Sequence, residues 1–302
     1  MIAFALSGGG NRGALEAGSL EALFEHGIRP DILVGTSAGA MNSAFIATDP
    51  SLEGARKLSA LWLKVRKQDV YPGNLLTMAW RFITGQDSLV PNDNLRRLVE
   101  ANMPPGFERF GDITAVRLYI TAANLNTATL YLFGDDPSAT LIDAVMTSAA
   151  IPAILPPLVF DGWQYVDGGV VANVPLSIAV EKGATEVYVI NVGFSGRARR
   201  DIHGVYHIAD QALTTLTYQQ LLDDIREVGE RPEVTVHHIF IEAFGHLRWD
   251  DFDHAAEMVE EGRRVTREYL EGRPPDVSRA FALPEAAPPP PGATIWVPPR
   301  RR

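Results

Sequence analysis

Cysteine is absent from all 302 residues. Disulfides, thiolate metal sites and a cysteine nucleophile are thereby excluded together, a pattern compatible with a reducing compartment. Long hydrophobic runs are missing too. No stretch approaches the roughly 20 apolar residues that span a bilayer. The apolar opening Met1-Ile2-Ala3-Phe4-Ala5-Leu6 is too short for a signal core and follows no basic residue. Positive charge is in short supply: 27 Lys and Arg against 37 Asp and Glu leave a formal net charge of −10. That balance argues against nucleic acid as a partner and obliges any approach to an anionic membrane to use a local patch. The expectation is a soluble, cytoplasmic protein, with peripheral membrane contact left open. A composition of 46% hydrophobic and 21% charged residues is ordinary for a globular chain, and the length allows a large core in one or two domains.

Short apolar runs alternate with helical stretches through the first half, the pattern of a mostly parallel sheet covered by helices. Residues 2–6 read as a strand and 8–13 as its exit loop. Residues 14–26 follow as a helix, with Leu15, Leu20, Leu23 and Phe24 on its apolar face and Gly27 as its stop. A second strand over 31–34 leads into a tight turn and a helix over 40–47, then another helix over 52–65. Residues 116–122 and 129–133 look like paired strands, 141–148 like a helix that ends before Pro152, and 186–192 like a strand rich in β-branched residues.

Residues 70–110 differ. They are rich in Pro, Gly and Asn yet carry Tyr71, Leu75, Leu76, Met78, Trp80, Phe82 and Ile83, and read as an irregular, lid-like insertion with one short helix. Beyond Phe194, helices are expected over 202–225 and 252–270 with a strand over 234–241 between them. The proline-rich residues from 284 onward read as an extended or disordered tail. The organisation expected is a core over 1–195 carrying the insertion, an α/β extension over 196–283 packed on it, and the tail.

Gly35-Thr36-Ser37-Ala38-Gly39 sits at the turn between the second strand and its helix. A serine there is lifted out of the sheet, small residues flank it because bulk would strike neighbouring backbone, and the helix behind it points unpaired N–H groups at developing negative charge. The bland alternative is a small-residue turn. Upstream, Gly8-Gly9-Gly10-Asn11-Arg12-Gly13 satisfies G-x-G-x-x-G between strand and helix. A dinucleotide site would need an acidic residue at the end of the second strand, but Asp31 stands at its start. An oxyanion hole fits better: consecutive glycines let amides converge, with the Arg12 guanidinium holding the loop or adding charge. A plain connecting turn is the remaining reading.

The serine needs a base. His203, His207, His237, His238, His246 and His254 lie downstream, none in a compelling loop signature. His237 and His238 fall inside a predicted strand, as structural histidines do. The cluster Trp249-Asp250-Asp251-Phe252-Asp253-His254 is explained more simply by Asp250 or Asp251 capping a helix than by a metal, and no metal or other cofactor is expected. Asp167, followed by Gly168 and Gly169, ends a strand-like run on a sharp turn. Its carboxylate takes the Ser37 proton directly if it lies within reach; otherwise Asp-Gly is only a turn.

The three motifs, in content, order and spacing, resemble the patatin-like phospholipase family, and Ser148-Ala149-Ala150-Ile151-Pro152 resembles a further stretch of it. The resemblance covers about the first two-thirds of the chain. It implies a three-layer α/β/α sandwich and a Ser–Asp dyad without histidine. Ser37 would be the nucleophile and Asp167 the base. The loop of Gly8, Gly9 and Gly10, with Arg12, would form the oxyanion hole, and Gly13, Gly35, Gly39, Gly168 and Gly169 would complete the motifs. Family members often carry Asp-Gly-Ala where this chain has Asp-Gly-Gly. The implied function is a lipid acyl hydrolase of phospholipase A or lysophospholipase type. A triacylglycerol lipase, a carboxylesterase or a non-catalytic lipid-binding module are the alternatives.

Overall fold

The computed structural model describes residues 1–193, 202–245 and 247–272, with backbone alone at 206, 207 and 210. In chain order the elements are β1 (Ile2–Leu6), α1 (Gly13–Glu25), β2 (Ile32–Gly35), α2 (Ala38–Thr48), α3 (Leu52–Trp62), α4 (Lys67–Val70), α5 (Leu75–Ile83) and α6 (Asp93–Asn102). There follow β3 (Arg117–Asn124), β4 (Thr129–Phe133), α7 (Leu141–Ser148), β5 (Leu158–Phe160), β6 (Trp163–Asp167), α8 (Gly169–Ala172) and α9 (Leu176–Glu181). The last described elements are β7 (Glu186–Asn191), α10 (Val205–Gly229), β8 (Thr235–Phe240) and α11 (Ala255–Leu270).

The eight strands among the described residues form one sheet in the order β5-β6-β3-β2-β1-β7-β8, with β4 also pairing β3. The run β3-β2-β1-β7-β8 is parallel; β4, β5 and β6 add antiparallel pairs at one end. Alternation along each central strand feeds two layers. From β1, Phe4 and Leu6 join the larger core under α1, α2, α3 and α7, while Ala3 and Ala5 join the core under α9 and α10. Tyr188 and Ile190 of β7 divide from Val187 and Val189 in the same way. Strands buried on both faces need the near-continuous apolar sequence seen here. The result is the three-layer α/β/α sandwich with a mostly parallel central sheet.

One detail of register positions the site. Ala122 of β3 pairs with Tyr131 of β4 on one edge and with Asp167 of β6 on the other. Ile120 likewise pairs with Phe133 of β4 and with Gly35 of β2. β2 and β6 therefore lie end to end along the same edge of β3, running toward each other.

The 70–110 segment is more ordered than its composition predicts. It holds both α5 and α6, and Val90, Leu95 and Phe110 are buried in the main core. The Asn74 side chain caps α5 by accepting from the Leu76 and Thr77 amides. In α6, Leu95, Leu98 and Val99 recur at helical spacing among charged residues. Of this segment, α5 alone has no buried residue.

In the C-terminal part, β8 extends the same sheet beside β7, and α11 crosses α1 closely enough for backbone to touch backbone. A Cβ added at Gly18 would lie 1.8 Å from the Val259 carbonyl oxygen, and one at Gly262 would lie 1.9 Å from that of Leu15. The expected 284–302 tail, His246 and residues 194–201 fall outside the described residues. Gly18→Ala or Gly262→Ala forces the helices apart and should cost about 1–3 kcal/mol. Thermal unfolding should register this as a fall in Tm of roughly 2–10 °C. An unchanged Tm in both variants would contradict the crossing.

Candidate active site

Ser37 stands between β2 and α2 with φ 56° and ψ −120°, a left-handed-side backbone conformation that costs a non-glycine residue about 1–3 kcal/mol. The surroundings enforce it. A Cβ at Gly35 would lie 2.3 Å from the Gly39 carbonyl oxygen, and one at Gly39 would lie 2.4 Å from that of Leu6, so the turn closes only with glycine at both places. The Ser37 amide donates to Ser148 Oγ at 2.9 Å. Thr36 Oγ1 donates to the Ala172 carbonyl at 2.8 Å and lies 2.7 Å from Thr121 Oγ1. The strained turn is thus tied to α7, β3 and α8 at once.

Asp167 is the last residue of β6, brought to Ser37 by the end-to-end approach of the two strands. Its amide donates to the Ala150 carbonyl at 3.0 Å. Its Oδ1 accepts from the Gly169 amide at 2.7 Å, and the nearby Ser37 hydroxyl favours its ionised form. Gly168 packs against Thr121, and Gly169 against Asn173. Burial pushes the Asp167 carboxyl up to about 6, against the opposing pull of the Ser37 hydroxyl and the Gly169 amide. Ser148 and Ala150, in the stretch leaving α7, hold one member of the pair each. Sequence reasoning placed that stretch beside the aspartate turn without assigning it this task.

The glycine loop splits on inspection. The Gly8 amide donates to the Asn173 carbonyl at 2.9 Å, which removes it as a donor to a ligand and corrects its expected place in an oxyanion hole. Among the described residues the amides of Gly9 and Gly10 have no acceptor. Neither has that of Ala38, the first residue of α2, which sequence reasoning did not single out. Arg12 Nε reaches the Gly9 carbonyl at 3.4 Å and so braces the loop. Asn11, buried, donates to the carbonyls of Arg248 and Asp251 and fastens the loop to residues 248–251. Gly13 packs closely against the Trp62 ring.

Two cavities meet at Gly10, Ser37 and Ile151. One, of about 80 Å³, is walled by apolar groups including Phe45, Leu61, Trp62, Leu95, Val99 and Met103. The other is a cleft of about 540 Å³ lined by Asp167, Asn173, Thr214, Thr217, Arg12 and Arg248 among others. No described histidine lines either. His246 falls between Gly245 and Leu247, which both line the cleft. His237 stacks on Tyr188, with Nε2 3.1 Å from Glu186 Oε1. Buried His238 has its pKa pushed down to about 4.

Asp250 does not cap α11, as expected, because the chain between them makes another turn. It pairs with Lys67 at 2.7 Å and Arg248 at 2.9 Å, and α11 begins after His254 without a side-chain cap. No cluster of potential metal ligands occurs among the described residues.

A family model described as patatin-like phospholipase matches residues 4–180. The chain belongs to the patatin-like phospholipase family. Lysophospholipase NTE1 of Scheffersomyces stipitis is 28% identical over 200 residues, which are 64% of this chain and 12% of that protein. Patatin-like phospholipase domain-containing protein 7 of Mus musculus is 31% identical over 201 residues, 64% of this chain and 14% of that protein. The chain therefore spans about an eighth of the curated relatives it matches. Among solved structures, VipD from Legionella pneumophila aligns with a TM-score of 0.47 at 15% identity, covering 90% of this chain and 67% of that one. The patatin-like match ends within α9, so β7, β8, α10 and α11 lie beyond it. No described helix is long and apolar enough to cross a membrane.

The geometry predicts the reactivity of Ser37. With Asp167 as base, proton transfer needs its ionised form, so labelling by a fluorophosphonate is expected to rise about tenfold per pH unit below pH 6 and level off above it. Asp167→Asn should flatten that profile and slow labelling at least ~100-fold. A profile that breaks near neutrality and survives the substitution would point to another base.

Proposed function

We propose that this chain hydrolyses fatty acyl esters of lysophospholipid or phospholipid type through a Ser37–Asp167 dyad. The carrying observation is that Ser37 sits where an apolar cavity opens into a polar cleft that Asp167 also lines. An amphiphilic ester laid across that junction places its chain on one side, its headgroup on the other and its carbonyl at Ser37. The family and the lysophospholipase name of the curated relatives support the substrate class.

In the first step Asp167 takes the Ser37 hydroxyl proton as Oγ attacks the acyl carbon. The oxyanion forms against the free amides of Gly9, Gly10 and Ala38, each such donor contributing about 100- to 1000-fold in rate. Collapse returns the proton from Asp167 to the leaving alcohol oxygen and leaves an acyl-serine. Water, deprotonated by the same carboxylate, attacks the acyl carbon, and Ser37 recovers its proton as the fatty acid departs. A carboxyl near 6 is well matched to taking and returning protons at neutral pH. Arg12 and Arg248, both on the cleft, suit the phosphate of a headgroup.

The size of the apolar cavity favours a second reading, a carboxylesterase for short acyl groups. About 80 Å³ holds only the carbons nearest the carbonyl unless α6 shifts outward. A panel of lysophosphatidylcholine, diacyl phosphatidylcholine, triacylglycerol and soluble esters of increasing chain length separates these readings. Wild type should prefer the phospholipid substrates, while Ser37→Ala and Asp167→Asn should each lose at least ~1000-fold with unchanged Tm. His246→Ala should retain turnover. Full activity in Asp167→Asn with loss in His246→Ala would replace the dyad by a histidine-based triad.

A further inference from the structure

Helix α5 is oriented opposite to an ordinary surface helix. Leu75, Leu76, Trp80, Phe82 and Ile83 are 83%, 81%, 69%, 77% and 78% exposed. At 100° per residue they occupy about 160° of the circumference. The opposite side attaches the helix to the protein: Met78 rests on the main core, and Arg81 donates to the Ser88 carbonyl at 2.9 Å and to Ser88 Oγ at 3.0 Å. The polar contacts face inward and the apolar stripe faces out. Isolated exposed apolar residues are common on soluble proteins, but five large ones on nine residues form a contiguous patch that calls for a partner.

We propose that this stripe docks the protein on the surface of a lipid bilayer. Two observations favour a bilayer over a second copy of the chain. The first is charge. The chain carries −10, yet residues 63–87 hold four cations against Asp69 and Asp87; Lys67 pairs with Asp250 and Arg81 turns inward to Ser88, while Lys64 and Arg66 stand exposed. An outward apolar face bearing Trp and Phe, with basic groups beside it, is the composition of helices that lie in the headgroup region.

The second is continuity with the candidate site. α5 is strung between Val70–Tyr71 on one side and Leu95–Val99 on the other, and both stretches line the apolar cavity that reaches Ser37. A bilayer on α5 brings a source of acyl chains next to the two stretches that wall that cavity. The proposal deepens the lipid-hydrolase reading and rests on it for its purpose, but its observations are independent of catalysis.

The test is sedimentation of the full chain with vesicles of phosphatidylcholine containing phosphatidylglycerol, in the Ser37→Ala background so that the lipid is not consumed. Leu76→Gln, Trp80→Gln and Ile83→Gln together should lower partitioning at least about tenfold, and Phe82→Gln alone by a smaller factor. In the otherwise wild-type chain, the triple variant should hydrolyse a water-soluble ester at the unaltered rate, because none of these residues lines either cavity. Three results would overturn the proposal: no vesicle binding by the parent, undiminished binding by the triple variant, or a dimer in analytical ultracentrifugation that the triple variant turns into a monomer. The last would assign the stripe to a second copy. Failure of the lipid-hydrolase reading would appear separately, as inactivity on the lipid panel with vesicle binding intact.

Discussion

β2 and β6 meet end to end along one edge of β3, and everything at the candidate site depends on that collision. A parallel strand delivers Ser37 at its carboxyl end, and an antiparallel strand delivers Asp167 from the other direction, with one β3 residue, Thr121, between their last pairings. Nothing long or flexible lies between the two groups. Residues 148–150 bridge the gap, Ser148 accepting from the Ser37 amide and Ala150 from that of Asp167. The proposed nucleophile and base are therefore positioned by backbone pairing, the stiffest connection a protein has, which is the preorganisation that proton transfer at short range needs.

That placement has an electrostatic cost, offset locally. Burial works against an ionised Asp167, while the Ser37 hydroxyl and the Gly169 amide favour it. The balance leaves a carboxyl poised to accept and return a proton instead of one locked in either state. Neighbouring cavities divide the surroundings by polarity. Apolar walls press on one side of Ser37, and polar groups with two arginines line the other.

Much of this was legible in the sequence, for identifiable reasons. Strands buried on both faces announce themselves by dense apolar runs, so β1, β2 and β7 were found within about a residue, as such boundaries allow. The serine turn and the aspartate turn were legible because their glycines mark places where backbone atoms nearly touch. Residues 70–110 hold one helix more than expected, because the Pro91-Asn92 pair that signals loop stands immediately ahead of α6. The availability of the Gly8 amide could not be read locally either, because its partner, the carbonyl of Asn173, comes from a turn 165 residues away. The Ala38 amide was anticipated only as one of the unpaired N–H groups of the helix behind Ser37, because the sequence reading began that helix at residue 40 and the structure begins it at Ala38.

The glycine crossing between α1 and α11 bears on the order in which the chain comes together. Asn11 is fastened to residues 248–251, and Gly18 meets Val259, so the helix that follows the glycine loop is clamped by chain synthesised some 240 residues later. Contacts of such sequence separation are slow to form, since loop closure precedes any gain from packing. The glycine loop thus acquires its final support only once residues 248–259 have been made, and a nascent chain stopped at the family boundary would carry every motif without that clamp.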